Sequence, residues 1–84
     1  MKAKADPEFW RRYQELPARI QELAQKNYAL WLANPFHPSL QFKQIGKNQW
    51  SARVGLHYRV TGYFLKPDVF VWKWIGTHEE YNKF

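Results

Sequence analysis

Between Asn34-Pro35 and Gly46 the hydrophobic period of this chain changes from three and four residues to two, and that change sets the class of fold it can adopt. Upstream, Phe9, Trp10, Tyr13 and Leu16 fall on one helical stripe. Asp6-Pro7 precedes it, with the aspartate as a candidate N-cap and the proline suited to a first helical turn. Pro17 cannot continue that helix and opens a second stripe of Ile20, Leu23, Ala24, Tyr28 and Trp31, which Asn34-Pro35 stops. Two amphipathic helices joined this tightly predict a hairpin whose shared apolar face needs a partner.

The partner is predicted downstream. Residues 36–40 read as a connecting loop, with prolines on both sides of His37. Residues 41–45, 50–55, 58–65 and 69–75 read as strands, punctuated by Gly46-Lys47-Asn48 and Lys66-Pro67-Asp68. The gaps are too short for helical crossovers, so the strands predict an antiparallel meander. The expectation is an α+β fold: a twisted antiparallel sheet of three to four strands backed by an N-terminal helical hairpin. With 84 residues there is room for one domain over residues 1–84 and not for a second core. Five Trp, five Tyr and six Phe let so short a chain fill that core, because each ring removes about 150–250 Å² from water.

The last strand poses a conflict. Phe70, Trp72 and Trp74 alternate with Val71, Lys73 and Ile75, and the cost of burying Lys73 turns the aromatic set inward. Regular alternation would then carry His78 inward too, whereas a bulge near Gly76 would leave it on the open side. Both arrangements stand at this point.

Composition narrows the functional classes. Cysteine is absent, which removes disulfides and zinc-thiolate sites and fits a cytoplasmic protein. No apolar run is long enough to span a membrane, and the opening Met-Lys-Ala-Lys-Ala-Asp has no apolar stretch behind it, so neither a membrane anchor nor a signal peptide is expected. The net charge of +6 calls for an anionic partner. Seven basic residues fall in 43–84 against three acids. Arg53 and Arg59 occupy polar positions of adjacent predicted strands, with Lys43, Lys47 and Lys66 nearby. Cations interleaved with Tyr58, Tyr63, Trp72 and Trp74 suit a nucleic-acid strand, since charge neutralises phosphate and rings stack on bases. The plainer reading is a solvated sheet face over an aromatic core.

His78, after the last strand, is the strongest general acid–base candidate, because imidazole ionises near neutral pH; Tyr81 lies three residues on. His37, His57 and His78 lack ligand spacing, so no metal site is expected. No glycine-rich phosphate loop or nucleophile triad is present, and no cofactor is implied.

Several segments together resemble the RelE/ParE toxin superfamily: Asn34-Pro-Phe-His-Pro-Ser-Leu-Gln-Phe-Lys43, Trp50-Ser-Ala-Arg-Val-Gly, Tyr58-Arg59-Val and Trp74-Ile-Gly-Thr-His-Glu-Glu-Tyr81. The ending is similar to HigB-type members. The resemblance covers about residues 9–83 and implies the fold already predicted, with a first strand that would have to be residues 2–5. That segment is poor in strand formers and is a candidate for absence.

The resemblance implies a type II toxin held inactive by a cognate antitoxin. RelE and HigB members cut mRNA on the ribosome without a metal, whereas ParE members poison DNA gyrase. Carried over by residue, Arg59 and Arg53 would stabilise phosphate charge, His78 would act as acid or base, and Tyr81 would position the nucleotide. Lys43, Lys47 and Tyr63 would contact RNA. The sequence departs from RelE at His78, where RelE has arginine, and at Ser51, where a lysine is expected. With fewer cations, a gyrase-directed toxin or a catalytically degenerate basic interaction domain remain the alternatives.

Overall fold

The computed structural model describes residues 2–83. In chain order the elements are β1 (Lys2–Ala5), α1 (Pro7–Gln14), α2 (Ala18–Ala33), a short 3-10 turn (Pro38–Leu40), β2 (Lys43–Gly46), β3 (Gln49–Val54), β4 (Tyr58–Lys66), β5 (Val69–Thr77) and α3 (His78–Tyr81). The strands form one five-stranded sheet in the order β1-β5-β4-β3-β2. The meander β2–β5 is antiparallel as expected, and β1 joins the edge of β5 in parallel.

The first strand is therefore present, and the sheet has one strand more than the expected upper count. Lys-Ala-Lys-Ala is a weak strand by propensity, but its pairing is made by backbone groups. Lys2 N–H donates to the Asp68 carbonyl at 2.8 Å and Asp6 N–H to the Trp72 carbonyl at 2.9 Å. Ala3 and Ala5 pack on the core while Lys2 and Lys4 face solvent, a charged edge that discourages further strand addition.

Three residues, Glu15-Leu16-Pro17, join the helices. The Gln21 side-chain amide donates to the carbonyls of Tyr13 (3.0 Å), which also accepts from Leu16 N–H, and of Leu16 (3.1 Å), tying the start of α2 to the end of α1. Asp6 holds the N-cap position of α1 without a side-chain capping bond. Pro17 is the N-cap of α2, and its carbonyl accepts from Ile20 and Gln21.

Trp31 of α2 fastens the hairpin to the sheet. It is 1% exposed, and its ring meets those of Trp72, Phe70 and Phe42 at centroid distances of 5.0, 5.3 and 5.8 Å. Trp72 therefore faces the helices. Pairing of β4 with β5 slips by one residue between Thr61↔Trp74 and Gly62↔Trp72, which makes exposed Lys73 the bulged residue. Beyond it Ile75 takes over the inner face, and Trp74 and Gly76 turn to the face opposite the core. The conflict on the last strand is thus resolved by a bulge, at Lys73 and not near Gly76.

Gly62, opposite the bulge, permits the close approach. A methyl there would lie 2.3 Å from the Val71 carbonyl oxygen and 2.5 Å from the Phe70 ring. Gly62→Ala is expected to cost about 3 kcal/mol or more, through overpacking against backbone. At Gly46 the nearest atom is the flexible Gln49 amide at 3.0 Å, so Gly46→Ala should cost less than about 1 kcal/mol. Urea midpoints of the two variants test this; equal losses would contradict the bulge.

Candidate functional site

On the sheet face turned away from the hairpin, Arg53 of β3 and Arg59 of β4 are direct cross-strand partners. Like charges in that register repel, so the pair needs an offsetting anion or hydrogen bonds. Arg53 Nε donates to the Gly55 carbonyl at 2.9 Å. The ion pairs among the described residues lie elsewhere, on Arg11 and Arg12. Arg59 is 8% exposed, and its Nη1 is buried without a hydrogen-bond partner in the protein. A charged donor in that condition is costly unless something accepts from it.

The two arginines, His78, Gln41, Leu56 and Tyr58 line a cleft of about 120 Å³ that contains no carboxylate. Tyr81 closes over one side. Its ring lies 5.1 Å beneath the Arg59 guanidinium and stacks on His78 at 6.0 Å with 19° between planes. Its hydroxyl donates to Ser51 Oγ at 3.4 Å. The position where the resemblance implies a lysine is thus a fully buried serine that meets this tyrosine.

Because α3 has only four residues, its placement depends on its ends. Thr77 Oγ1 accepts from Glu80 N–H (3.2 Å), and the Glu80 carboxylate accepts from Thr77 N–H (3.0 Å), a reciprocal capping box. His78 N–H donates to the His57 carbonyl at 2.7 Å, which ties α3 to the β3–β4 turn. Glu80 also pairs with Arg12 at 3.7 Å, and that guanidinium lies 5.8 Å over the Trp74 ring. Trp74 in turn packs across Gly76, where a methyl would lie 2.5 Å from the indole.

The predicted residues divide into two groups. Arg53, Arg59, His78 and Tyr81 come together at the cleft. Lys43 pairs with Ser51 and shares this face one step away. Lys47 sits in the β2–β3 turn, with the length of Gln49–Arg53 (about 13 Å) between that turn and the cleft. Tyr63 is a similar distance along β4 from Arg59. Neither lines the cleft. Sequence reasoning missed Gln41 and Leu56. Gln41 has φ +46°, held between buried Leu40 and Phe42, and that apolar pair is the signal that anchored its loop. His37 serves its own loop, with Nδ1 accepting from Ser39 N–H.

Neither protein-family models nor curated protein sequences match the chain. Solved structures do match in fold. A YoeB/ParE toxin from Agrobacterium tumefaciens superposes with TM-score 0.74 at 18% identity, over 93% of this chain and 99% of that one. A chain of the RelB-RelE antitoxin-toxin complex from Methanococcus jannaschii gives 0.76 at 18% identity, over 96% and 98%. YafQ from E. coli strain BL21(DE3) gives 0.72 at 14% identity, over 95% and 96%.

Hydrogen bonds from Thr77, to the backbone first and the hydroxyl second, hold the Glu80 pKa below its ordinary 4.5, and Arg12 adds to the effect. A depressed carboxylate pKa gives stability that is present above the unfolded value and lost as pH falls through the folded one. The cap should therefore persist from neutral pH to below 4.5 and fray only in stronger acid. Amide shifts of residues 78–81 followed by NMR would report it, and Glu80→Gln should remove the acid transition. Fraying of the unmodified chain near neutral pH would contradict the assignment. Over nearly its whole length, this chain has the fold of the RelE/ParE toxin superfamily.

Proposed function

We propose that this protein is the toxin of a type II toxin–antitoxin pair, a ribosome-dependent endoribonuclease that cuts mRNA by attack of a ribose 2′-oxygen on the adjacent phosphate. The observation that carries the reading is the opposed Arg53–Arg59 pair, in a cleft shared with His78 and free of carboxylates. Two unneutralised guanidiniums favour a phosphate, and more so a pentacoordinate phosphorus that carries extra negative charge.

In the proposed reaction the 2′-hydroxyl gives up its proton as its oxygen bonds to phosphorus. The bond from phosphorus to the 5′-oxygen breaks, and that oxygen takes a proton. The products are a 2′,3′-cyclic phosphate and a 5′-hydroxyl. His78 is exposed at the cleft and can hold one of these protons, while Arg59 and Arg53 stabilise the phosphoryl oxygens. Tyr81 offers a ring for the nucleobase and a second face for the Arg59 guanidinium. Lys43 extends the positive path along the sheet, and Lys47 and Tyr63 would meet RNA further from the scissile bond.

The M. jannaschii structure is titled as an antitoxin-toxin complex, and this chain would likewise be held by a cognate antitoxin. An acidic contact segment on the antitoxin would complement the net charge of +6.

Induced expression of the unmodified chain without antitoxin should arrest growth. Arg59→Ala should relieve the arrest and lower mRNA cleavage by about 100-fold or more, the size of effect expected for one charge-stabilising donor. Arg59→Lys should retain part of both. Arrest with intact mRNA and an induced DNA-damage response would instead favour gyrase poisoning.

A further inference from the structure

Two residues that line the arginine cleft, Gln41 and Leu56, take no part in the proposed reaction. The strand order sets where Gln41 stands. Arg59 and Arg53 lie on β4 and β3, the middle of the row β5-β4-β3-β2. His78 comes from the end of β5 on one flank, and Gln41 from the approach to β2 on the other. Because Lys43 pairs with Ser51 in antiparallel register, the chain two residues earlier runs beside Arg53.

The backbone of Gln41 is left-handed, with φ +46° and ψ +44°, a conformation that glycine or asparagine adopts at less cost. Buried Leu40 and Phe42 on either side hold it there. Asn48, the other non-glycine residue with positive φ among the described residues, uses its amide inside the protein. Its Nδ2 donates to the Phe64 carbonyl at 2.8 Å, and its Oδ1 accepts from Phe64 N–H at 3.0 Å. The Gln41 amide has no such partner among the described residues and stays exposed at the cleft. A strained backbone that presents an unused donor and acceptor to a cationic cleft points to recognition. Leu56 is 74% exposed, in a turn held on both sides of it. The Gly55 carbonyl accepts from Arg53 Nε at 2.9 Å, and the His57 carbonyl from His78 N–H at 2.7 Å. The turn thereby gives the cleft an apolar rim.

We propose that Gln41 and Leu56 form a nucleobase subsite, which selects the base next to the scissile phosphate on the side away from His78. Leu56 packs against the face of the base, and the Gln41 amide reads an edge that presents a donor beside an acceptor. Adenine has such an edge in N6–H₂ and N7, whereas guanine presents two acceptors there, N7 and O6. The occupant is therefore adenine in preference to guanine. This subsite rests on the arginine pair holding the phosphate, as proposed above, and it decides which phosphate is cut.

The test titrates the full chain with two non-cleavable RNAs, the 2′-O-methyl trinucleotides UAU and UGU, followed by NMR. Both should saturate at the cleft, with UAU about 10-fold tighter, the discrimination expected of one bidentate base contact. Only UAU should shift the Gln41 side-chain amide protons. Gln41→Gly keeps the left-handed backbone without the amide and should bring UAU down to the affinity of UGU. Gln41→Asn also tolerates that backbone and should restore part of the preference. Leu56→Ser should weaken both trinucleotides. Equal affinities, a tighter UGU, or a preference for UAU that survives Gln41→Gly would overturn the subsite and leave the phosphate reading intact. Binding of neither trinucleotide would overturn the phosphate site and the subsite together. None of these readouts depends on RNA cleavage.

Discussion

The insertion of Trp31 among Phe42, Phe70 and Trp72 is the contact on which the rest of the molecule depends. It draws Trp72 to the helical side of β5, and that choice has consequences further along the same strand. With Phe70 and Trp72 inward, regular alternation would point Trp74 to the helical side as well and turn Ile75 away from it. The bulge at Lys73 breaks the alternation, puts Ile75 in the core and sends Trp74 and Gly76 to the other face. The chain then leaves the sheet on the side where Arg59 points, and α3 delivers His78 and Tyr81 beside it. A packing requirement at one end of β5 thereby determines which side chains meet at the other.

The cleft itself is held in a condition that folding alone does not favour. Two arginines face each other across neighbouring strands, one with a buried unsatisfied nitrogen, and among the described residues no carboxylate lines their cleft or pairs with either. What keeps them in place is neutral: the Gly55 carbonyl for Arg53 and the Tyr81 ring for Arg59. Neither contact removes positive charge, so the field remains available to an incoming phosphate. Glu80, two residues from His78, is engaged in the cap of α3.

Much of this was legible in the residues. The change of hydrophobic period gave the hairpin and the meander, and alternation in 58–65 correctly separated Val60 and Phe64 from Arg59 and Thr61. The pairing of Arg53 with Arg59 follows from that alternation once the β3–β4 turn is short. The first strand was obscured because Lys-Ala-Lys-Ala gains its stability from the open edge of β5, a tertiary effect that propensity does not register. The position of the bulge was hidden for a related reason. It is set by Gly62 on the neighbouring strand, where a side chain would strike the Val71 carbonyl. Gln41 and Leu56 reach the cleft only because the loops that carry them are folded against it; the apolar Leu40 and Phe42 signal the anchoring of the first loop, and nothing in the local sequence marks Leu56. The contact between Ser51 and Tyr81 spans thirty residues of chain and is equally silent in one dimension.

The central claim is chemical: that the arginine cleft promotes attack by a 2′-oxygen on mRNA held in the ribosome. The most direct measurement is cleavage of a defined mRNA in a reconstituted translation reaction, mapped by primer extension, beside the same mRNA with a single 2′-deoxy nucleotide at the cut site. The account predicts cuts that require the ribosome, are lost in the 2′-deoxy message and fall away in His78→Ala. Cleavage of the 2′-deoxy message at the same site, or a folded protein that leaves every message intact, would contradict it.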